Sequence, residues 1–166
     1  MKAAALIDPD GHPIIGHRGA SGLAPENTLA SFLLAQSLGA DAFELDVRVS
    51  ADGVAVVCHD PTLDRTTGRG GSVANLPLEE LARADAGARF SSDGGRTFPF
   101  RGQGIAIPTL REVLERFPET PLLIELKVLE AAEPVRQELR RAGAETRCVV
   151  ASYLAEAVAG FREAPF

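Results

Sequence analysis

Glu44 and Asp46 are separated by one residue inside an otherwise apolar run, Ala42-Phe43-Glu44-Leu45-Asp46-Val47. Asp and Glu are depleted from strands and are seldom buried without a partner. Side chains at i and i+2 of a strand share a face, so two carboxylates placed this way point to a bound cation. A second run, Leu122-Leu123-Ile124-Glu125-Leu126-Lys127, carries Glu125 and Lys127 at the same spacing. His17 and Arg18 end a short apolar run at residues 13–17, and His59 ends another at residues 54–58. Glu44, Asp46 and Glu125 together make an oxygen-ligand set suited to one hard divalent cation, Mg²⁺ or Ca²⁺. The lack of a Cys or paired-His set argues against structural zinc. Arg18 and Lys127 supply positive charge for an anion held beside that cation, and the two imidazoles supply a proton donor and a proton acceptor near neutral pH. Such a constellation suits cleavage of a phosphoester.

The elements that position these groups follow from local signals. Asp52-Gly53 is a strong hairpin signal joining the Glu44/Asp46 run to the His59 run. A loop of those two residues alone sets Ala51 opposite Val54 and Asp46 opposite His59; a longer loop shifts the pairing by a residue or so. The plain alternative is a polar stripe facing water on an edge hairpin. Asn27 or Thr28 caps a helix through Leu29, Phe32 and Leu33 that Gly39 ends. Thr109 and Glu112 form a capping box ahead of Leu110, Val113, Leu114 and Phe117, and a helix through Val135 and Leu139 stops at Gly143. Residues 147–152 read as a further strand, and residues 154–162 as a last amphipathic stretch. Strands alternating with helices imply an α/β fold with a parallel sheet, the hairpin excepted, because its connection is too short for a parallel crossover. In α/β barrels, polar groups at the carboxyl ends of several strands converge on one site.

Residues 61–104 break this pattern with Gly-rich turns, and only residues 76–81 resemble a short helix. A stretch of this kind reads as a small insertion over one end of the fold. Its Gly68-Arg69-Gly70-Gly71 lacks the Gly-Lys-Ser/Thr ending of a phosphate loop. The 166 residues are 45% hydrophobic and 24% charged, with mean hydropathy of +0.03, the profile of one soluble domain able to bury a core. A net charge of −6 argues against nucleic acid as a partner. The opening apolar run is interrupted at Asp8, too early for a signal segment, and no run is long enough for stable membrane insertion, so a cytoplasmic protein is expected. Cys58 and Cys148 sit in apolar runs as small reduced hydrophobes.

Read in order, the motifs resemble those of the glycerophosphodiester phosphodiesterases: His17-Arg18-Gly19-Ala20, Pro25-Glu26-Asn27-Thr28, Glu44-Leu45-Asp46-Val47, Asp52-Gly53, His59-Asp60, Leu63-Asp64-Arg65-Thr66-Thr67, Ile107-Pro108-Thr109-Leu110 and Ile124-Glu125-Leu126-Lys127. The resemblance runs from Ile14 to about Ser152. It implies a TIM-type barrel with a metal among Glu44, Asp46 and Glu125, acid/base histidines at His17 and His59, and phosphate-binding positions at Arg18 and Lys127. It also implies hydrolysis of a small-molecule glycerophosphodiester to an alcohol and glycerol 3-phosphate. The attacking group is water or the neighbouring glycerol hydroxyl, with His59 favoured as the acid. Phospholipase D-like action on an intact phospholipid and a non-catalytic module with a metal site are the competing readings.

The departure from the family is length. About five of eight strand units are expected within this chain, where a complete barrel takes about 250 residues. The strands at residues 13–17 and 147–152 are then open edges guarded only by Pro13 and Arg147, and self-association through them is expected.

Overall fold

The computed structural model describes Leu6 and residues 10–161; the opening apolar run apart from Leu6, and Arg162, lie outside them. The order is β1 (Ile15–His17), α1 (Leu29–Ser37), β2 (Ala42–Val49), β3 (Ala55–Val57), α2 (Asp64–Thr67), α3 (Leu78–Ala82), α4 (Leu110–Arg116), β4 (Leu122–Leu126), α5 (Ala132–Ala142) and β5 (Cys148–Ala151). Four strands run parallel in the order β1-β2-β4-β5, and the fifth, β3, lies off that path, antiparallel to β2. The architecture is α/β, part of a TIM-type barrel wall.

Each parallel strand turns its alternate residues to opposite sides. Phe43, Leu45 and Val47 of β2 and Leu122, Ile124 and Leu126 of β4 face the helices and are all but fully buried. They pack against Phe32 and Ala35 of α1, Val113 and Leu114 of α4, and Val135 and Leu139 of α5. Phe32, Phe43 and Phe117 meet with ring centroids 5.1 to 6.2 Å apart. Burial of each such side chain contributes about 1.5–3 kcal/mol. Residues 44, 46 and 125 are left to face the other side.

The starts of α1 and α4 follow the cap chemistry. Thr28 Oγ1 accepts from Ser31 N at 3.2 Å, so Thr28 rather than Asn27 is the cap of α1. Thr109 and Glu112 complete the capping box of α4, and Gly143 ends α5 at φ +58°. The segment 61–104 is more structured than its turn-rich sequence suggests. It holds α2, a 3-10 turn at Val73–Asn75 and α3, and Leu63, Val73, Leu81, Ala84 and Ala86 pack with Val56, Cys58 and Ile107 in a second cluster. The four residues of α2 are too few for an apolar period to show.

Local geometry decides the hairpin alternative and corrects the reading of Arg147. The hairpin loop has three residues, since Ser50 N donates to Val54 O at 3.0 Å and Gly53 takes the left-handed conformation at φ +82°. Asp52 is drawn off to accept from Leu78 N at 3.0 Å, which ties the tip to α3. Val47 therefore faces Val57, and Cys58 N donates to Asp46 O, so Cys58 rather than His59 stands opposite Asp46. Arg147 does not guard an edge. It is buried, with Nη1 donating to Thr120 O at 2.6 Å. The last stretch forms a 3-10 helix at Ala155–Phe161. Among the described residues β1 and β5 are the outer strands of the parallel path, and no helix is long and apolar enough to cross a membrane.

Candidate active site

The site is built where β1 ends and β3 has not yet begun. Both strands pair with the same edge of β2, β1 through His17 opposite Glu44 and β3 from Val57 opposite Val47. Asp46 lies in the gap. Its backbone N donates to Asn27 Oδ1 at 3.3 Å, while Asn27 Nδ2 donates to Asp46 Oδ2 at 2.8 Å. One side-chain amide thus stands in for a missing strand and fixes a buried carboxylate. Asn27 does so at φ +57°, which Asn tolerates better than most residues.

The turn after β1 is similarly constrained. Arg18 sits at φ +52°, and its backbone N donates to Glu44 Oε2 at 3.0 Å. Gly19 follows at φ +81°, where a Cβ would lie 2.4 Å from Ser31 Oγ and 2.7 Å from the Ser31 carbonyl carbon, so only glycine fits. Backbone strain of this kind collects at functional sites.

Carboxylate oxygens of Glu44, Asp46 and Glu125 lie within 4.8 Å of one another. Register accounts for this, because Asp46 stands opposite Glu125 and Glu44 opposite Leu123 across β2 and β4. Burial first, and the Asp46 charge second, raise the Glu44 pKa above its usual value. Asp46 Oδ2 also lies 3.1 Å from Arg18 Nε. Asp46 Oδ1 is buried without a hydrogen bond; Lys127 Nζ stands 3.4 Å from it as an ion-pair partner. That ammonium donates to Glu125 Oε1 at 2.9 Å. Burial opposes its charge, but Glu125 and Asp46 outweigh burial and raise its pKa. Three converging carboxylates, one with a buried oxygen that accepts no hydrogen bond, are a donor set that fits a divalent oxygen-seeking cation.

His17 Nε2 is 3.8 Å from Glu44 Oε2, and both residues line an open cavity of about 380 Å³ with Glu125, Ser152 and Tyr153. His59 lines a different hollow, with Glu26, Asn27, Asp60 and Arg65, and its Nδ1 lies 2.6 Å from Asp60 Oδ1. The structure thus groups His17, Arg18, Glu44, Asp46, Glu125 and Lys127 directly. His59 sits one hollow away, joined to the group through Asp60, Arg65 and Glu26. Four residues given no site role from sequence belong to this framework: Glu26, Asn27, Asp60 and Arg65. All four lie in motifs quoted above, but the separation of 39 positions between Glu26 and Arg65 hid their pairing.

Residues 17–159 match the model of the glycerophosphoryl diester phosphodiesterase family. The chain belongs to that family. It is 44% identical over 115 residues to a glycerophosphodiester phosphodiesterase of Caldanaerobacter subterraneus subsp. tengcongensis, a match covering 69% of this chain and 44% of the relative. It is similar to the structure of the glycerophosphodiester phosphodiesterase of Agrobacterium tumefaciens, with a TM-score of 0.78 and 39% identity over 90% of this chain and 61% of that one. A phosphodiesterase of Oleispira antarctica in complex with the product sn-glycerol-3-phosphate superposes with a TM-score of 0.76 at 34% identity, over 88% of this chain and 59% of that one. The chain therefore spans roughly two fifths to three fifths of these relatives.

Proposed function

We propose that this chain carries the metal-binding and acid/base part of a site that hydrolyses glycerophosphodiesters to an alcohol and glycerol 3-phosphate. The observation that carries the reading is the convergence of Glu44, Asp46 and Glu125 within 4.8 Å beside His17, Arg18 and Lys127. The first three would hold one divalent cation, Mg²⁺ or Ca²⁺, which supplies Lewis-acid stabilisation of charge on a phosphoryl oxygen. Arg18 and Lys127 add positive charge where a phosphate anion would sit. One histidine takes the proton of the attacking hydroxyl, and the other protonates the departing alkoxide. His59 is assigned the acid role because Asp60 holds its Nδ1 and leaves Nε2 for the leaving group. Two buried cysteines, each with its thiol pushed up to about 11 chiefly by burial, suit a reducing, cytoplasmic setting.

Metal-dependent release of glycerol 3-phosphate from glycerophosphocholine tests the reading. Metal binding without product release would make this chain a non-catalytic module. The outer strands β1 and β5 support a second proposal, self-association through their unpaired backbone groups. Light scattering showing a monomer at all concentrations would refute it.

A further inference from the structure

Arg65, in α2, reaches both Glu26 and Asp60 although its side chain is 49% exposed. Its Nη1 and Nη2 donate to Glu26 Oε2 and Oε1, each at 2.7 Å, and its Nε donates to Asp60 Oδ2 at 2.5 Å. Each carboxylate then holds something else. Asp60 Oδ1 lies 2.6 Å from His59 Nδ1, and Glu26 Oε1 accepts from Arg18 Nη1 at 2.9 Å. Arg18 in turn lies beside Asp46. A continuous line of charge-assisted contacts therefore runs from His59 through Asp60, Arg65, Glu26 and Arg18 to the buried carboxylate.

We propose that Arg65 is a positioning residue that aligns the acid/base histidine and the phosphate-side arginine by holding Asp60 with one edge of its guanidinium and Glu26 with another. Exposed ion pairs contribute little to stability, so the consequence is read in orientation rather than in unfolding. The planar fork matters here, because a lysine ammonium offers a single point of charge where two carboxylates must be held at fixed angles. With Oδ2 of Asp60 occupied by Arg65, Oδ1 is left to accept Nδ1–H of His59. Nδ1–H is thereby held in both protonation states, so the proton that the acid gives up is the one on Nε2, turned away from Asp60, and the neutral imidazole left behind is the Nδ1–H tautomer. The other charged groups around His59 do not compete for Nδ1. Arg48 Nε donates to the His59 carbonyl at 2.8 Å, Cys58 is buried as a thiol, and Glu26 is engaged by the two arginines.

The inference rests on the acid/base reading of His59, and its first test does not use turnover. In the metal-free ¹⁵N-labelled chain, long-range ¹H–¹⁵N correlations report which nitrogen of each neutral imidazole bears the proton. His59 is assigned by the signals lost in His59→Gln. The parent chain is expected to show His59 as the Nδ1–H form, and Arg65→Met a mixture of both tautomers, with Arg65→Lys between them. An unchanged single tautomer in Arg65→Met overturns the proposal. Turnover supplies a second readout: Arg65→Met is expected to lower kcat about 10–100-fold at an unchanged melting temperature. A melting temperature that falls in step with kcat would mark a merely structural role and overturn it too. If His59→Gln leaves glycerol 3-phosphate release unchanged, the reading of His59 fails while the tautomer result still stands.

Discussion

The strand-borne half of the site and the loop-borne half are held by different physics. Glu44, Asp46 and Glu125 ride on β2 and β4, whose opposite faces carry Leu45, Val47, Ile124 and Leu126 in the core. No carboxylate can shift without dragging buried side chains, and a one-residue slip would turn all of them outward. His59, Asp60, Glu26 and Arg65 lie on loops and one short helix and are held by charge. Their side chains are 31%, 22%, 19% and 49% exposed, against 1% for Asp46. A cation demands ligand distances within a few tenths of an ångström, which a packed sheet can supply. A histidine that gains and loses a proton needs freedom to follow it, which an ion-pair network near water allows.

The comparison is broken most directly at the strand half. Glu44→Gln is expected to abolish metal-dependent turnover while leaving the protein folded, because it removes charge from a site that is already repulsive in the free state. Calorimetry showing unchanged metal affinity in that variant would remove Glu44 from the ligand set. Next in size come His17→Ala and His59→Ala, each expected to slow the chemical step by about 10²–10⁴. A nitrophenyl leaving group needs little protonation, so it should rescue the variant lacking the acid, His59→Ala, and not His17→Ala. Equal rescue of both would end the assignment of separate roles.

Asn27 lies on the boundary between the halves and sharpens the contrast. Asn27→Ala removes the hydrogen bonds that the amide makes with the Asp46 carboxylate and backbone N, at an expected cost of about 1–3 kcal/mol. Chemical denaturation measures it. A loss under about 0.5 kcal/mol would show that the amide does not substitute for strand pairing there.

What could be read from the sequence follows the same division. The carboxylates, the alternating faces of β2 and β4 and the Thr109 capping box depend on residues two to four apart, and all stand where local spacing puts them. The hairpin register does not follow from its own residues, because Asp52 is recruited by Leu78, 26 positions away. Arg147 looked like an edge charge, yet Thr120 O and Leu114 O draw it into the interior. The Asp60–Arg65–Glu26 network needs two loops to meet, and no periodicity announces that.

The smallest expected effect is electrostatic and belongs to the loop half. The hydrogen bond from Arg65, partly opposed by burial and aided by His59, lowers the Asp60 pKa from 3.8 to about 2. A carboxyl whose folded pKa lies below its unfolded value stabilises the fold fully above the unfolded value, and that contribution is lost as pH falls through the folded one. For Asp60 the window runs from about pH 4 down to about pH 2. Other carboxyls titrate in the same range, so the informative quantity is the difference in unfolding free energy between the parent chain and Asp60→Asn. That difference should be constant above about pH 4, shrink through the window and level off below about pH 2. Arg65→Met should remove most of the pH dependence of the difference without touching the strand-borne carboxylates. A difference that does not change with pH across the window would mean that Arg65 does not hold Asp60 in solution, and the loop half would then be ordered by something other than charge.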